Sequence, residues 1–196
     1  MKKLFYATGN KYKIQSMRAR LEGLDIELIV PKDLNLHIDV EECGKTVVEN
    51  AVLKAKAYYD KVKMPTLAAD TALYVEKFEK QPGLFVHRIN GKDLTPEETL
   101  KYYTEEIEKV GGKSKAFYKT GLAIIKQGEI HTIEIKEDEF LFTSKVCDKP
   151  SKYDILSTIE YYEKLKKYKC ELTDEEIKNA NNTFNLEFNK FIKEYL

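Results

Sequence analysis

MKKLFYATGNKYKI, residues 1 to 14, decides how the rest of the chain is organised. Leu4, Phe5 and Tyr6 make a short apolar run, the pattern of a buried strand. Thr8-Gly9-Asn10 breaks that run, and Ile14, Met17 and Leu21 then recur at helical spacing. The stretch predicts a strand, a tight loop and a helix. A glycine in such a loop lets backbone N–H groups approach a ligand, and the helix start that follows carries partial positive charge. Phosphate suits that junction, and Lys11 and Lys13 add mobile cations beside it.

Working outward, DIELIV at 25–30 reads as a second strand, and 31–40 as a loop closed by Glu41-Glu42. Beyond Gly44-Lys45, Val48, Ala51, Val52, Ala55, Tyr59 and Val62 fall on one helical face. Thr46 with Glu49 three residues later is a capping box, so Glu49 has a structural role at the helix start. Residues 66–69 predict a short strand delivering Asp70-Thr71 at its C-terminal end, where α/β sheets hold ligands. Thr95-Pro96-Glu97-Glu98 opens a helix that Gly111-Gly112 stops. Between 115 and 146, β-branched and alternating positions broken at Gln127-Gly128 predict a hairpin and a third strand, 139–146. Two helices are expected after Lys149-Pro150, over 151–168 and 174–195, the second capped by Thr173 with Glu176.

A chain of 196 residues can form one domain with a sizeable core, and the sequence has no internal repeat or low-complexity linker. Lys+Arg and Asp+Glu both number 33, so the net charge is +0 and the basic excess of a nucleic-acid polymer binder is missing. No window approaches the ~20 apolar residues of a membrane span. The N-terminus runs straight into a strand without a signal-peptide pattern, so no membrane partner and a cytoplasmic location are expected. Cys43, Cys147 and Cys170 read as reduced thiols, being odd in number and without a CxxC pair. His37, His87 and His131 are too scattered for a metal cage, which leaves a hard ion on carboxylates.

Four local features then share a pattern. ATGNKYK (7–13), EECGKTVVENAVLKA (41–55), LAADTALYV (67–75) and, in Pro-Gly and the final Arg only, PGLFVHR (82–88) resemble the motifs of the inosine/xanthosine triphosphate pyrophosphatases. They keep that family's order and roughly its spacing. The resemblance implies an α/β fold: one domain over residues 1–196, a mixed β-sheet flanked by helices, in two lobes with a central cleft. It implies hydrolysis of non-standard purine nucleoside triphosphates to the monophosphate and pyrophosphate, Mg²⁺ as cofactor, and a homodimer. The residue types suit that chemistry, because Mg²⁺ and cations offset phosphate charge while a carboxylate orients water.

Under the resemblance Asp70 is the base or metal carboxylate, Glu41 its metal partner and Lys13 a catalytic cation. Thr8, Gly9, Asn10, Lys11, Lys54 and Thr71 would hold the triphosphate, and Arg88, Tyr153, Asp154 and Lys178 the remaining substrate. Other roles stand beside these. Asp70 also suits a turn after a strand, and Lys54 a solvated helix position. The chain departs from the family in three places. Ala69 replaces a second carboxylate beside Asp70. Only Tyr153-Asp154 remains of a Gly-Tyr-Asp-Pro segment, at an expected helix start. After ELTDEEIK (171–178), Asn181-Asn182-Thr183 stands where the family has Ser-His-Arg. Those departures keep open a second reading, a catalytically weakened nucleotide-binding protein on the same fold. A third, a protein–protein role for the aromatic C-terminal helix, ranks below both.

Overall fold

The computed structural model describes residues 1–151 and 153–196. In chain order, β1 (Lys2–Tyr6), α1 (Lys11–Leu21) and β2 (Ile26–Ile29) build the predicted opening, and a 3₁₀ turn, Pro31–Leu34, starts the loop that follows. Then come α2 (Val47–Val62), β3 (Thr66–Val75), the short pair β4 (Arg88–Ile89) and β5 (Lys92–Asp93), and α3 (Pro96–Lys109). β6 (Lys113–Lys126), β7 (Glu129–Lys136) and β8 (Phe140–Thr143) form the expected antiparallel region. Gln127 and Gly128, both at positive φ (53° and 85°), make the hairpin turn between β6 and β7. The chain ends with β9 (Glu160–Tyr162), β10 (Lys167–Tyr168), α4 (Asp174–Ala180) and α5 (Asn182–Tyr195). Among the described residues, no helix is long and apolar enough to cross a membrane.

The chain divides into two compact units: residues 1–71, 120–135 and 185–196, and residues 72–119 and 136–184. Strands β3 and β6 each pass from one unit into the other. In the first unit β1 pairs in parallel with β2 and with β3, and β3 neighbours β6. The face of α2 bearing Ala51, Ala55 and Tyr58 packs on Phe5, Ala7, Ile29, Ala68, Ala123 and Ile125. Each large side chain so buried contributes roughly 1.5–3 kcal/mol. Gly121 of β6 lets the start of α2 sit close to the sheet, since a Cβ there would lie 2.4 Å from the Val47 carbonyl carbon. That approach fixes where the next turn of α2 points.

In the second unit β8 pairs antiparallel with β6 and with β9, and β9 with β10. Its core gathers Leu73, Val75, Tyr103, Ile107, Ala116, Phe140, Phe142, Leu156 and Ile159 around α3. With parallel pairs around β1 and antiparallel pairs around β8, the sheet is mixed and carries helices, as expected.

Three expectations for the chain's elements are corrected. Among the described residues the helix expected over 151–168 does not form: a 3₁₀ turn, Ile155–Thr158, leads into the hairpin of β9 and β10. Ile159, Tyr161 and Tyr162 favour a pleated strand, and Lys166 at φ 52° supplies the left-handed residue before β10. The helix over 174–195 is broken at Asn181, which ends α4 with φ −117° and ψ 50°. Asp70 is not at a strand end but is the fifth residue of the continuous ten-residue β3.

Candidate active site

Asp70 is only 7% exposed, and a carboxylate so placed is costly unless it is paired and hydrogen-bonded. Here α2 supplies both partners. Lys54 Nζ lies 2.9 Å from Asp70 Oδ1, and Asn50 Nδ2 donates to Asp70 Oδ2 at 3.0 Å. Positions 50 and 54 are one helical turn apart, so the two side chains share a face. Lys54 is itself shared, with Glu42 Oε2 at 2.8 Å. The lysine is the buried member of that pair, 14% exposed against 46% for Glu42. Beside Asp70, the hydroxyls of Thr71 and Thr120 are hydrogen-bonded at 3.2 Å. Both Asp70 oxygens are held by side chains of α2, so a turn role does not account for this residue.

The opening loop leaves the same parallel pairing. Tyr6 of β1 is in register with Leu67 of β3, and the Ala7 N–H donates to the Leu67 carbonyl at 2.8 Å. Gly9 and Asp70 each stand three residues past that pair (6 + 3 and 67 + 3). Within the loop the Asn10 N–H donates to Thr8 Oγ1 at 3.2 Å. Asn10 Oδ1 in turn accepts from the N–H groups of Tyr12 (2.9 Å) and Lys13 (3.2 Å). Asn10 is therefore the N-cap of α1 and takes up two of the donors expected to face phosphate. Gly9 remains open, because a Cβ built there meets nothing within 4 Å. Lys11 is exposed, with Nζ 4.9 Å from the centre of the Tyr12 ring, and Lys13 sits half-buried as the third residue of α1.

The acidic loop departs from expectation in detail. Glu42, rather than Glu41, shares Lys54 with Asp70; Glu41 is exposed. Glu49 has the expected structural role, but its Oε2 accepts from the Lys45 N–H at 2.6 Å instead of closing a box on Thr46. Thr46 Oγ1 accepts from the Glu49 N–H at 3.1 Å. Glu42 and Asn50 lie within the 41–55 motif, but the sequence assigns neither a role at the site. The four-residue spacing of Asn50 and Lys54 was the signal for Asn50; nothing in the sequence separates Glu41 from its neighbour Glu42.

The candidates in the second unit meet other partners. Arg88 Nε donates to Asp93 Oδ1 at 2.6 Å across β4 and β5, and that hydrogen bond holds the Asp93 carboxyl below the usual range. The Tyr153 hydroxyl donates to Asp174 Oδ1 at 2.8 Å. Burial and that carboxylate push it up to about 12. Asp154 Oδ1 accepts from the Leu156 N–H at 3.0 Å, capping the 3₁₀ turn, while His87 Nε2 lies 3.3 Å from its Oδ2. Burial raises the Asp154 pKa, but His87, the Leu156 N–H and Lys169 outweigh it, leaving the group below its ordinary value. Lys178 is exposed on α4. In the Asn181-Asn182-Thr183 region, the Asp138 N–H donates to Asn181 Oδ1 at 3.5 Å, and Thr183 bonds Asp138 through its N–H (3.0 Å) and hydroxyl (2.7 Å).

Comparison with known proteins agrees with this architecture. The model of the Ham1 family matches residues 4–181. A dITP/XTP pyrophosphatase of Thermoanaerobacter pseudethanolicus is 31% identical over 175 residues, covering 89% of this chain and 87% of that protein. One from Caldanaerobacter subterraneus subsp. tengcongensis is 36% identical over 128 residues, 64% of each chain. Among solved structures, a HAM1 protein from Coxiella burnetii superposes with a TM-score of 0.80 at 22% identity, covering 99% of this chain and 100% of that one.

Proposed function

Since the chain belongs to the Ham1 family, we propose that it hydrolyses non-standard purine nucleoside triphosphates, of the dITP and XTP kind, to the monophosphate and pyrophosphate. The names of its relatives support the reaction class. The observation that carries the residue assignment is Asp70, nearly buried between Lys54 and Asn50 on β3, the strand paired with β1, from which the Thr8–Gly9–Asn10 loop departs.

Water attacks the α-phosphorus, the bond to the bridging oxygen of the β-phosphate breaks, and pyrophosphate leaves. Asp70 takes the proton of the attacking water. Lys54 is shared between the Asp70 and Glu42 carboxylates in the free protein. A triphosphate competes for the same ammonium, and as Lys54 turns to phosphate an Asp70 oxygen is released to act as base. Lys11, Lys13, Thr8 and Thr71 supply further cations and hydroxyls for the phosphate chain, and the open side of Gly9 lets it approach backbone N–H groups.

The donor set suits Mg²⁺. Asp70 and Glu42 offer hard carboxylate oxygens to one cation, with Glu41 next in sequence. Among the described residues no group of three or more His, Cys, Asp or Glu side chains forms a metal cage. Mg²⁺ commonly takes one or two carboxylates and completes its shell with phosphate oxygens and water. When bound it would withdraw charge from the phosphate oxygens. Arg88, Tyr153, Asp154 and Lys178 stay assigned to the rest of the substrate by resemblance.

The test is incubation with a panel of nucleoside triphosphates and Mg²⁺, scoring pyrophosphate against orthophosphate. Pyrophosphate release, fastest with dITP or XTP, is expected. Orthophosphate alone contradicts the proposal. Nucleotide binding by calorimetry with no turnover of any member would instead establish the weakened-binder reading that Ala69 motivates.

A further inference from the structure

We propose that Asn50 is a positioning residue that couples the acidic loop to Asp70; this rests on the hydrolase reading above and adds a residue to it. Asn50 is 3% exposed, and a buried primary amide must place both its donor and its acceptor. Its acceptor is not spent on the start of α2, where Thr46 and Glu49 already serve the first N–H groups. Instead Asn50 Oδ1 accepts from the Gly44 N–H at 2.8 Å, six residues back in the loop. That bond fixes the amide's direction, because flipping it would set an NH₂ against an N–H and an oxygen against the Asp70 carboxylate. With Oδ1 so committed, Nδ2 is held on Asp70 Oδ2 at 3.0 Å.

Gly44 shows that the contact is built closely. A Cβ there would lie 2.6 Å from Asn50 Oδ1 and 2.9 Å from the Asn50 nitrogen, so only glycine brings the loop this near. The loop is tethered twice, at Glu42 through Lys54 and at Gly44 through Asn50, and both tethers converge on the two oxygens of Asp70. Asn50 therefore sets the carboxylate's orientation and the loop's position together. Its loss leaves Lys54 as the single fixed partner.

Three variants separate this role from simple packing. Asn50→Ala breaks both halves of the link, and Gly44→Ala breaks only the loop half. Asn50→Asp keeps an acceptor for the Gly44 N–H while placing a like charge against Asp70. With dITP as substrate, Asn50→Ala should lower kcat about 100-fold, the scale of an ångström-sized misplacement, with KM near the wild-type value. Asn50→Asp should lower kcat at least as far. The double variant Asn50→Ala/Gly44→Ala should be no slower than Asn50→Ala alone, because the two changes break one chain of contacts. Hydrogen exchange of the Gly44 amide in the ligand-free protein should accelerate in Asn50→Ala and stay slow in Asn50→Asp. Unchanged Gly44 exchange in Asn50→Ala overturns the proposal. So does an unchanged kcat in a folded Asn50→Ala protein, or additive losses in the double variant. If the unaltered protein turns over no nucleotide, the hydrolase reading fails, while the exchange measurement still reports on the link.

Discussion

The Asp70 cluster of the first unit and the Glu160 cluster of the second are both built around a buried carboxylate with a lysine, and they differ in what surrounds the pair. At Asp70 the lysine is divided between two carboxylates, Asp70 and the half-exposed Glu42. At Glu160, which is 1% exposed, Lys169 Nζ (2.7 Å) and the Tyr118 hydroxyl (2.8 Å) each take one oxygen. Burial alone would lower the Lys169 pKa, yet the charge and hydrogen bond of Glu160 carry it above its ordinary value. A divided cation beside an exposed carboxylate can be taken by phosphate. A cation locked on one buried carboxylate, under tyrosine, serves the fold. Burial and ion pairing alone therefore do not separate the proposed site from the Glu160 cluster; the division of the lysine between two carboxylates does.

The largest effect that separates the two clusters is on the chemistry. Asp70→Asn keeps the shape and removes the base, and kcat should fall about 1000-fold, within the usual range for general-base loss, with Tm close to that of the unaltered protein. A near-normal rate in that variant removes Asp70 from the mechanism. The converse change, Lys169→Met, leaves Glu160 buried without its counter-charge and should cost about 3 kcal/mol of stability. Urea unfolding reads that loss, and kcat of the folded fraction should be unchanged. A fall in kcat at full stability would instead move the second cluster into the chemistry. The smallest effect belongs to Gly9→Ala. Its new methyl enters open space in the free protein, so Tm should hold while KM for the triphosphate rises about tenfold, roughly 1.4 kcal/mol of binding. An unchanged KM would mean that the phosphates do not approach this loop.

The two regions also differed in how far the sequence disclosed them. Around Asp70 the signals are local. An apolar run ends at Gly9, a capping threonine starts α2, and Asn50 and Lys54 repeat at one helical turn, so the strand, loop and helix follow from short stretches. The choice of Glu42 over Glu41 stayed hidden because it depends on a contact between stretches, whereas Glu49 turns to the Lys45 N–H, one residue short of the Thr46 that the capping pattern names. In the stretch after Lys149 the apolar residues fit helical spacing as well as strand spacing, so the sequence alone does not separate the two. Its fate was decided by strand pairing with β8 and by the left-handed Lys166. The break between α4 and α5 likewise comes from bonds to Glu137 and Asp138, distant in sequence from Asn181 and Thr183. Neither contact has a signature in the residues themselves.

The central claim, that Asp70 directs water to the α-phosphorus, is tested most directly by hydrolysing dITP in ¹⁸O-labelled water and weighing both products. One ¹⁸O in the monophosphate and none in the pyrophosphate is the predicted result. Label in the pyrophosphate would place the attack at the β-phosphorus and contradict the account.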